Sequence, residues 1–144
     1  MTPQELKTLA LLRGAKDLMD REYARPLDVP TMAAKALMSP AHFSRQFRAA
    51  YGETPYGYLM TRRIERAMAL LRDGMTVTEA CMAVGCTSLG SFSSRFTELT
   101  GVTPSTYRGQ DHDAVQSMPG MVAKTRTRPA QKSRIREASR TSRP

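Results

Sequence analysis

The feature that most limits the possible folds of this chain is a segment that occurs twice. Residues 39–59 have the sequence SPAHFSRQFRAAYGETPYGYL, and residues 88–108 have the sequence SLGSFSSRFTELTGVTPSTYR. Aligned without gaps at a shift of 49 residues, the two segments are identical at 8 of 21 positions, including two phenylalanines, a glycine, a Thr-Pro pair and a tyrosine. Two copies are too few for a solenoid. The repeat therefore predicts two similar structural units that perform the same function at two sites.

Helix boundaries are clearly marked in residues 1–108, the segment that we predict to be the folded domain. Capping residues, several of them followed by proline or glutamate, are positioned to start helices. They are Thr2, Asp28, Ser39, Thr54, Thr76, Ser88 and Thr103. Gly52, Gly74 and Gly101 are positioned to end three of these helices. No stretch shows sustained period-two alternation, so the sequence predicts an all-α domain.

Two pairs of predicted helices have the plan of a helix-turn-helix unit. The first pair covers residues 28–38 and 39–51, and the second covers residues 76–84 and 88–100. In such a unit the second helix enters the DNA major groove and contacts bases near its N-terminus. A single pair would be a weak signal, because many helical bundles contain such hairpins. Duplication in a basic chain makes DNA binding the favoured interpretation.

A long helix predicted from Pro55 to Arg72 connects the two pairs. At ~1.5 Å per residue it is about 27 Å long, and major-groove segments on one face of B-DNA lie roughly 34 Å apart. A rigid helix of that length can place two recognition helices one turn apart. We therefore expect a monomer that binds an asymmetric site.

Apolar residues recur every three or four positions and predict the core. On the connecting helix the predicted stripe is Tyr56, Leu59, Met60, Ile64, Ala67, Met68 and Leu71, and arginines occupy most other positions. On the two recognition helices the residues expected to face inward are Phe43, Phe47, Ala50, Phe92, Phe96 and Leu99. Tyr58 on the connecting helix and Tyr107 on the last short helix are expected to join the core.

The charge balance indicates an anionic partner. The 144 residues contain 22 Lys and Arg against 13 Asp and Glu, a formal net charge of +9. Nucleic acid and an acidic membrane surface both fit that charge. No apolar run approaches the ~18 residues of a membrane span, and no signal-peptide pattern precedes the first helix. We therefore expect a cytoplasmic, nucleoid-associated protein with no membrane partner.

Residues 109–144 differ in composition from the rest and are predicted to be a disordered basic tail. They lack aromatic residues and are rich in Arg, Lys, Ser and Pro. Such a segment cannot bury enough apolar surface to offset the entropy lost on ordering. Two interpretations stay open, a dispensable extension and an arm that binds DNA without sequence preference.

Catalysis and metal binding have little support in the sequence. Cys81 and Cys86, with two histidines elsewhere, are too few ligands for a zinc site at any familiar spacing. The two cysteines are interpreted as small buried residues, with a redox switch as the alternative. No nucleophile and base are paired, and Asp111-His112-Asp113 lies in the predicted tail. We expect a protein that is not an enzyme and has no cofactor.

From about Lys16 to Arg108 the chain resembles the AraC/XylS family of bacterial transcription regulators. The residues that carry the resemblance are Ser39-Pro40, Phe43-Ser44-Arg45, Phe47, Gly52, Thr54-Pro55, Tyr58-Leu59, Arg62, Arg66-Ala67, Leu70-Leu71, Ala83-Val84-Gly85, Phe92-Ser93, Phe96, Gly101-Val102-Thr103-Pro104 and Tyr107-Arg108. The resemblance implies a seven-helix domain with two helix-turn-helix units joined by a long linker helix. It also implies binding to double-stranded promoter DNA and regulation through RNA polymerase, with activator or repressor left open. With about 15 residues before the resemblance begins, we expect a stand-alone DNA-binding domain.

The resemblance assigns DNA-contacting positions on both recognition helices. On the first they are Pro40, Ala41, Ser44 and Arg45, with Arg48 as a phosphate contact or surface charge. Arg45 is the main candidate, because a guanidinium can bond O6 and N7 of guanine together; a solvated or phosphate-bound arginine is the alternative. On the second they are Leu89, Gly90, Ser91, Ser94 and Arg95. This second set departs from the family in lacking large donors at its start, and Cys86 replaces the family's usual aromatic residue.

The second recognition helix is therefore expected to contact bases weakly and to depend on phosphate contacts and DNA shape. Two other classes of function stay open at this point. An architectural protein would bind DNA with little sequence preference, as the serine-rich second helix and the basic tail would allow. A protein-interaction module would bind no DNA even at low salt, which the positive charge disfavours.

Overall fold

In a computed structural model of the protein, residues 1–110 are described. They form seven α-helices and no strand. The helices are α1 (Pro3–Arg21), α2 (Val29–Lys35), α3 (Pro40–Tyr51), α4 (Pro55–Arg72), α5 (Val77–Ala83), α6 (Leu89–Thr100) and α7 (Pro104–Arg108). The all-α, seven-helix prediction is confirmed for this part of the chain. The prediction of a disordered tail concerns residues that, from 111 onward, lie outside the described ones.

The chain divides into two compact units, Met1–Arg63 and a second that begins at Ile64. The boundary falls inside α4, so each unit contains one helix-turn-helix pair and one part of the long helix. The pairs are α2 with α3 and α5 with α6. Both sit where the sequence predicts them.

The core of the first unit is built around two phenylalanines of α3. Phe43 and Phe47 are completely buried, with ring centroids 5.7 Å apart. Phe47 also contacts Tyr51 at 4.8 Å and Tyr58 at 5.9 Å between centroids. The rest of the unit adds buried Leu12, Ala15, Met19, Leu27, Met32, Ala33, Ala36 and Leu59. Burying apolar surface against these rings fixes which face of α3 is left exposed.

The second unit repeats this aromatic arrangement on α6. Phe92 and Phe96 are completely buried with centroids 5.9 Å apart, and Phe96 packs edge-on against Tyr107 at 5.5 Å. In the first unit Phe47 packs edge-on against Tyr58 in the same way. The 49-residue sequence repeat is therefore a repeat of core packing. All six repeated aromatic residues are buried, as the spacing predicts.

The turn between the two helices of each pair is a Schellman motif. In the first unit the N–H of Met38 donates to the carbonyl of Ala33, and that of Leu37 donates to Ala34, both at 3.0 Å. In the second unit Cys86 donates to Cys81 at the same distance. The motif requires a left-handed residue just after the helix, usually glycine. Gly85 fills this position with φ 91°, and Leu37 fills it with φ 60°.

One helix boundary was wrongly predicted because of this leucine. The sequence predicts a helix that continues to Met38, whereas α2 ends at Lys35 with Ala36 as its C-cap. Glycine marks the equivalent turn at Gly85, but Leu37 carries no such signal. Here the Schellman hydrogen bonds, not the local propensity, decide where the helix ends.

Three predicted core positions are exposed. On α3 and α6 the predicted inward residues Ala50 and Leu99 lie at the surface, while Tyr51 and Thr100, one position later, are half-buried. The buried side of each helix thus follows steps of four residues from its first phenylalanine. Tyr56, in the first turn of α4, is also exposed because the core begins at Tyr58.

Candidate nucleic-acid interface

Helix α3 begins and ends at strongly defined caps. The hydroxyl of Ser39 accepts from the N–H of His42 at 3.2 Å, and Pro40 occupies the first turn. Gly52 ends the helix in the left-handed region at φ 79°. These caps fix the start of the helix, which is the part that a helix-turn-helix unit presents to bases.

The surface of α3 opposite the core contains most of the predicted DNA contacts of the first unit. Pro40, Ala41, Arg45 and Arg48 are exposed. Ser44 is half-buried because it lies next to Phe43, on the flank of the surface. Within residues 1–110 no hydrogen bond or ion pair engages the Arg45 side chain.

Helix α6 has the same type of caps as α3 but exposes different side chains. Ser88 caps it by accepting from the N–H of Ser91 at 3.2 Å, and Gly101 ends it at φ 84°. Of the predicted contacts, Gly90, Ser91 and Ser94 are exposed, whereas Leu89 and Arg95 are half-buried. Ser94 occupies the register that Arg45 occupies on α3, 49 residues earlier. The second surface thus lacks an extended donor at this register.

Two of the residues predicted to contact DNA from α6, Ser91 and Arg95, already have side-chain partners. The hydroxyl of Ser88 donates to that of Ser91 at 3.2 Å. Arg95 forms an ion pair with Glu98, three residues further along. Ser91 is the acceptor in its contact and can still donate its O–H, so DNA would have to compete only with the ion pair of Arg95. The sequence predicted, from residue types alone, that the second recognition helix contacts bases weakly. The ion pair of Arg95 is consistent with that prediction.

Carboxylates cap the first helix of each pair. The side chain of Asp28 accepts from the N–H of Thr31 at 2.9 Å, and these hydrogen bonds lower the pKa of Asp28. In the second unit Thr76 and Glu79 form a reciprocal capping box, whose hydrogen bonds lower the pKa of Glu79. Each carboxylate lies at the N-terminus of its helix, α2 or α5, where its negative charge interacts favourably with the helix dipole.

Two arginines, Arg63 of α4 and Arg108 of α7, hold loops in position. Arg63 is buried, and it donates to the carbonyls of Tyr23 at 2.7 Å and Arg25 at 2.8 Å. Arg108 donates to the carbonyls of Met75 at 2.8 Å and Gly74 at 2.9 Å. Sequence reasoning missed the role of Arg63, because an arginine among other arginines gives no signal of burial.

Residues 1–110 contain no group of three or more histidine, cysteine or acidic side chains that could hold a metal ion. Both cysteines are free and buried, as predicted. Burial raises the pKa of the Cys81 thiol to about 11, which leaves it protonated and unreactive near neutral pH. A redox role and the absence of enzyme activity stay predictions. In the part of the chain that the structure covers, no helix has the length and apolarity to cross a membrane.

Helices α3 and α6, each capped and each packed on a repeated core, are the second helices of two helix-turn-helix units, which is the plan of a DNA-binding domain. Residues 32–110, more than half of the chain, match the family described as a helix-turn-helix domain. Together with its relatives and structural neighbours, this match shows that the chain belongs to the AraC-type family of transcription regulators. The predicted resemblance is confirmed.

Two curated relatives and one solved structure illustrate the match. The chain is 33% identical over 91 residues to a putative AraC-like transcription regulator of Streptomyces lividans, covering 62% of this chain and 30% of the relative. It is 29% identical over 91 residues to the XylDLEGF operon transcriptional activator 2 of Pseudomonas putida, covering 60% and 58%. The DNA-binding domain of the transcription factor AdpA, solved with a target DNA, is 30% identical with a TM-score of 0.60, covering 68% and 88%.

The chain spans less than two thirds of the length of these curated relatives. The similarity therefore covers the DNA-binding domain that they share. It does not extend to the remaining parts of the relatives.

Proposed function

We propose that this protein is a sequence-specific transcription regulator that binds double-stranded promoter DNA as a monomer. Residues 1–108 form its DNA-binding domain, and α3 and α6 enter adjacent major-groove segments. The observation that carries the proposal is the exposed Arg45, held on a capped helix over a rigid aromatic core. The AdpA structure supports it, since that related domain was solved with its target DNA.

The two helices contribute unequally to specificity. Arg45 contacts guanine through a bidentate hydrogen bond worth ~1–3 kcal/mol of discrimination. Pro40 and Ala41 approach the groove as small apolar contacts, Ser44 contacts from the flank, and Arg48 neutralises a phosphate. On α6 the exposed Gly90, Ser91 and Ser94 permit close approach but discriminate little.

The bound protein regulates transcription through RNA polymerase at the promoter. Because it binds chromosomal DNA, it is located on the nucleoid in the cytoplasm. The relative from Pseudomonas putida is named as a transcriptional activator of an operon, which supports a role at a promoter. One chain carries both helix-turn-helix units, so a 1:1 complex with an asymmetric site is expected.

The test is selection of bound duplexes from a random pool with the full chain, the Arg45→Ala variant and the matched control Arg48→Ala. The expected motif has a strong half that contains guanine and a weak half one turn away. Arg45→Ala should lose preference at one position of the strong half. Arg48→Ala should bind more weakly with an unchanged motif, because a phosphate contact carries no base information.

The spacing of the two halves gives a second readout. Inserting about 5 base pairs moves the second half to the opposite face of the duplex. Binding should then fall to that of the strong half alone. Unchanged affinity, or a complex with two protein chains, would contradict monomeric binding at two grooves.

The alternative function is an architectural DNA-binding protein with little sequence preference. The serine- and glycine-lined surface of α6 is the observation that favours it. A specific regulator should prefer its selected site over random DNA by a factor of ~10³ or more. If no motif is enriched and binding persists at low salt, the architectural function replaces the proposed one.

A further inference from the structure

The exposed surface of α6 contains a carboxylate in its last turn, that of Glu98. Phe92 and Phe96 point into the core, so the opposite side of the helix is the side that DNA would meet. Ser91, Ser94 and Glu98 follow one another on that side at steps of three and four residues. The Glu98 side chain is 67% exposed. A negative charge thus lies one turn beyond Ser94, on the surface proposed to contact DNA.

Glu98 also engages the only cation among the predicted contacts on α6. Its Oε1 accepts from Nη1 of Arg95, whose side chain is 28% exposed. The ion pair directs the guanidinium along the helix toward its C-terminal end. It also neutralises the charge with which Arg95 would attract a phosphate.

The first recognition helix lacks such a carboxylate. The residue 49 positions before Glu98 is Ala49, which is exposed and carries no charge. Arg45 and Arg48 lie near it without an ion pair among residues 1–110. The two helices share caps, length and core contacts, so this carboxylate is a difference in surface chemistry and not in scaffold.

We propose that Glu98 limits the affinity of α6 for DNA by holding Arg95 and by repelling phosphates. The inference rests on the proposed binding of DNA through α6 and names the residue that makes the second contact weak. A surface ion pair of this kind stabilises the fold by little. Its main effect is therefore on binding, where the partner carries a dense negative charge.

Replacing Glu98 with the isosteric, neutral glutamine should strengthen DNA binding. Removing the Glu98 charge leaves the positive charge of Arg95 uncompensated at this surface, which adds about one released counterion and steepens the slope of log K against log salt by about 0.9. At about 0.1 M salt, one such contact corresponds to an affinity gain of about five- to tenfold. The change should be seen on selected and random duplexes alike, since phosphates carry no sequence information.

The experiment measures Kd by fluorescence anisotropy across a salt series for the full chain and four variants. These are Glu98→Gln, Arg95→Ala, the double variant Arg95→Ala/Glu98→Gln, and Ala49→Glu. The gain from Glu98→Gln should shrink in the Arg95→Ala background, because the positive charge that Glu98 compensates is then missing. Ala49→Glu should weaken binding by transferring the carboxylate to the first helix. Thermal unfolding of each variant separates binding effects from effects on folding.

The outcomes separate this inference from the proposed function. If the unsubstituted chain binds no DNA at low salt, the proposed function itself fails. If that chain binds and Glu98→Gln leaves Kd and the salt slope unchanged, the inference is overturned. A loss of affinity confined to sites with cytosine at one position would also overturn it, because Glu98 would then accept from the cytosine amino group.

Discussion

The two helix-turn-helix units share a scaffold and differ in the chemistry that they expose. Helices α3 and α6 each have 12 residues, a serine N-cap and a left-handed glycine C-cap. Their phenylalanine pairs and edge-on tyrosines match to within half an ångström in centroid distance. Yet the register that holds exposed Arg45 in one unit holds Ser94 in the other. Folding constrains the inner side of each helix, which leaves the outer side free to diverge.

The units also differ in how they hold their repeated tyrosines. The hydroxyl of Tyr58 donates to the carboxylate of Asp20, whereas that of Tyr107 accepts from the guanidinium of Arg72 at 2.7 Å. Burial and the neighbouring Asp20 charge raise the pKa of Tyr58. The hydroxyl groups of the two equivalent tyrosines thus bond to side chains of opposite charge. Only the ring is common to both solutions, which indicates that packing, and not the polar contact, is the shared requirement.

Removing a central phenylalanine gives the largest expected effect. Phe47→Ala and Phe96→Ala should each cost about 3–5 kcal/mol in free energy of unfolding, since both side chains are completely buried. Phe47 contacts three aromatic rings and Phe96 contacts two, so the first substitution should cost more. Urea denaturation monitored by circular dichroism measures both values. Equal costs would mean that the third ring, Tyr51, adds nothing.

Removing the tyrosine hydroxyls should give smaller and unequal effects. Tyr107→Phe leaves the half-buried Arg72 without this acceptor and should cost about 1–2 kcal/mol. Tyr58→Phe leaves Asp20 near solvent, where water replaces the lost donor, and should cost about 0.5–1 kcal/mol. Thermal unfolding of the two variants, with the rings retained, gives the comparison. A larger loss for Tyr58→Phe would show that the carboxylate partner matters more than its exposure indicates.

The two Schellman turns allow a reciprocal exchange. Leu37 is 78% exposed at φ 60°, so it pays for a left-handed backbone without gaining core contacts. Leu37→Gly should stabilise the protein by about 0.5–1 kcal/mol after allowing for the greater freedom of glycine in the unfolded chain. Leu37→Ala is the control, since it keeps the Cβ atom and the strain. Gly85→Ala should destabilise the second unit by about 1 kcal/mol.

An unchanged midpoint of chemical unfolding for Leu37→Gly, alongside an unchanged one for Leu37→Ala, would mean that the turn is not strained. Stabilisation by both variants would assign the cost to the exposed leucine side chain instead. Only a gain specific to glycine supports backbone strain at this position.

The sequence predicted the repeated framework better than it predicted the surfaces. Caps at Ser39 and Ser88 and glycines at 52 and 101 act over a few residues, so local patterns were enough to place both recognition helices. The end of α2 was missed because Leu37 adopts a conformation that its residue type disfavours. Burial of Arg63 was missed because its partners, Tyr23 and Arg25, are about 40 residues away in sequence. Contacts of that range depend on the fold and are not visible in a local pattern.

For the candidate site, the sequence predicted which two helices form it and most of the positions that they expose. The family pattern assigned Arg45 and Ser94 as DNA-contacting positions, and both side chains are exposed. The ion pair of Arg95 with Glu98 escaped notice because many helical side chains at this spacing could pair, and few such pairs change function. Its importance appears only when α6 is compared with α3, where the equivalent carboxylate is absent.

Acid should affect the two units unequally, and this is the smallest expected effect. Helix α2 depends on a carboxylate as its N-cap, because Asp28 accepts from Thr31, whereas the N-cap of α5 is the hydroxyl of Thr76 with Glu79 in support. The lowered pKa of Asp28 means that its contribution to stability is present above the unfolded-state pKa and is lost as pH falls through the folded-state pKa. Asp28→Asn keeps a capping oxygen but does not titrate. The difference in melting temperature between the unsubstituted chain and this variant should therefore shrink below about pH 4.

Glu79→Gln is the matched variant in the second unit, where Thr76 continues to cap the helix in acid. If the Glu79→Gln difference were the more pH-dependent of the two, the reciprocal hydrogen bond, and not the N-cap itself, would be what acid weakens.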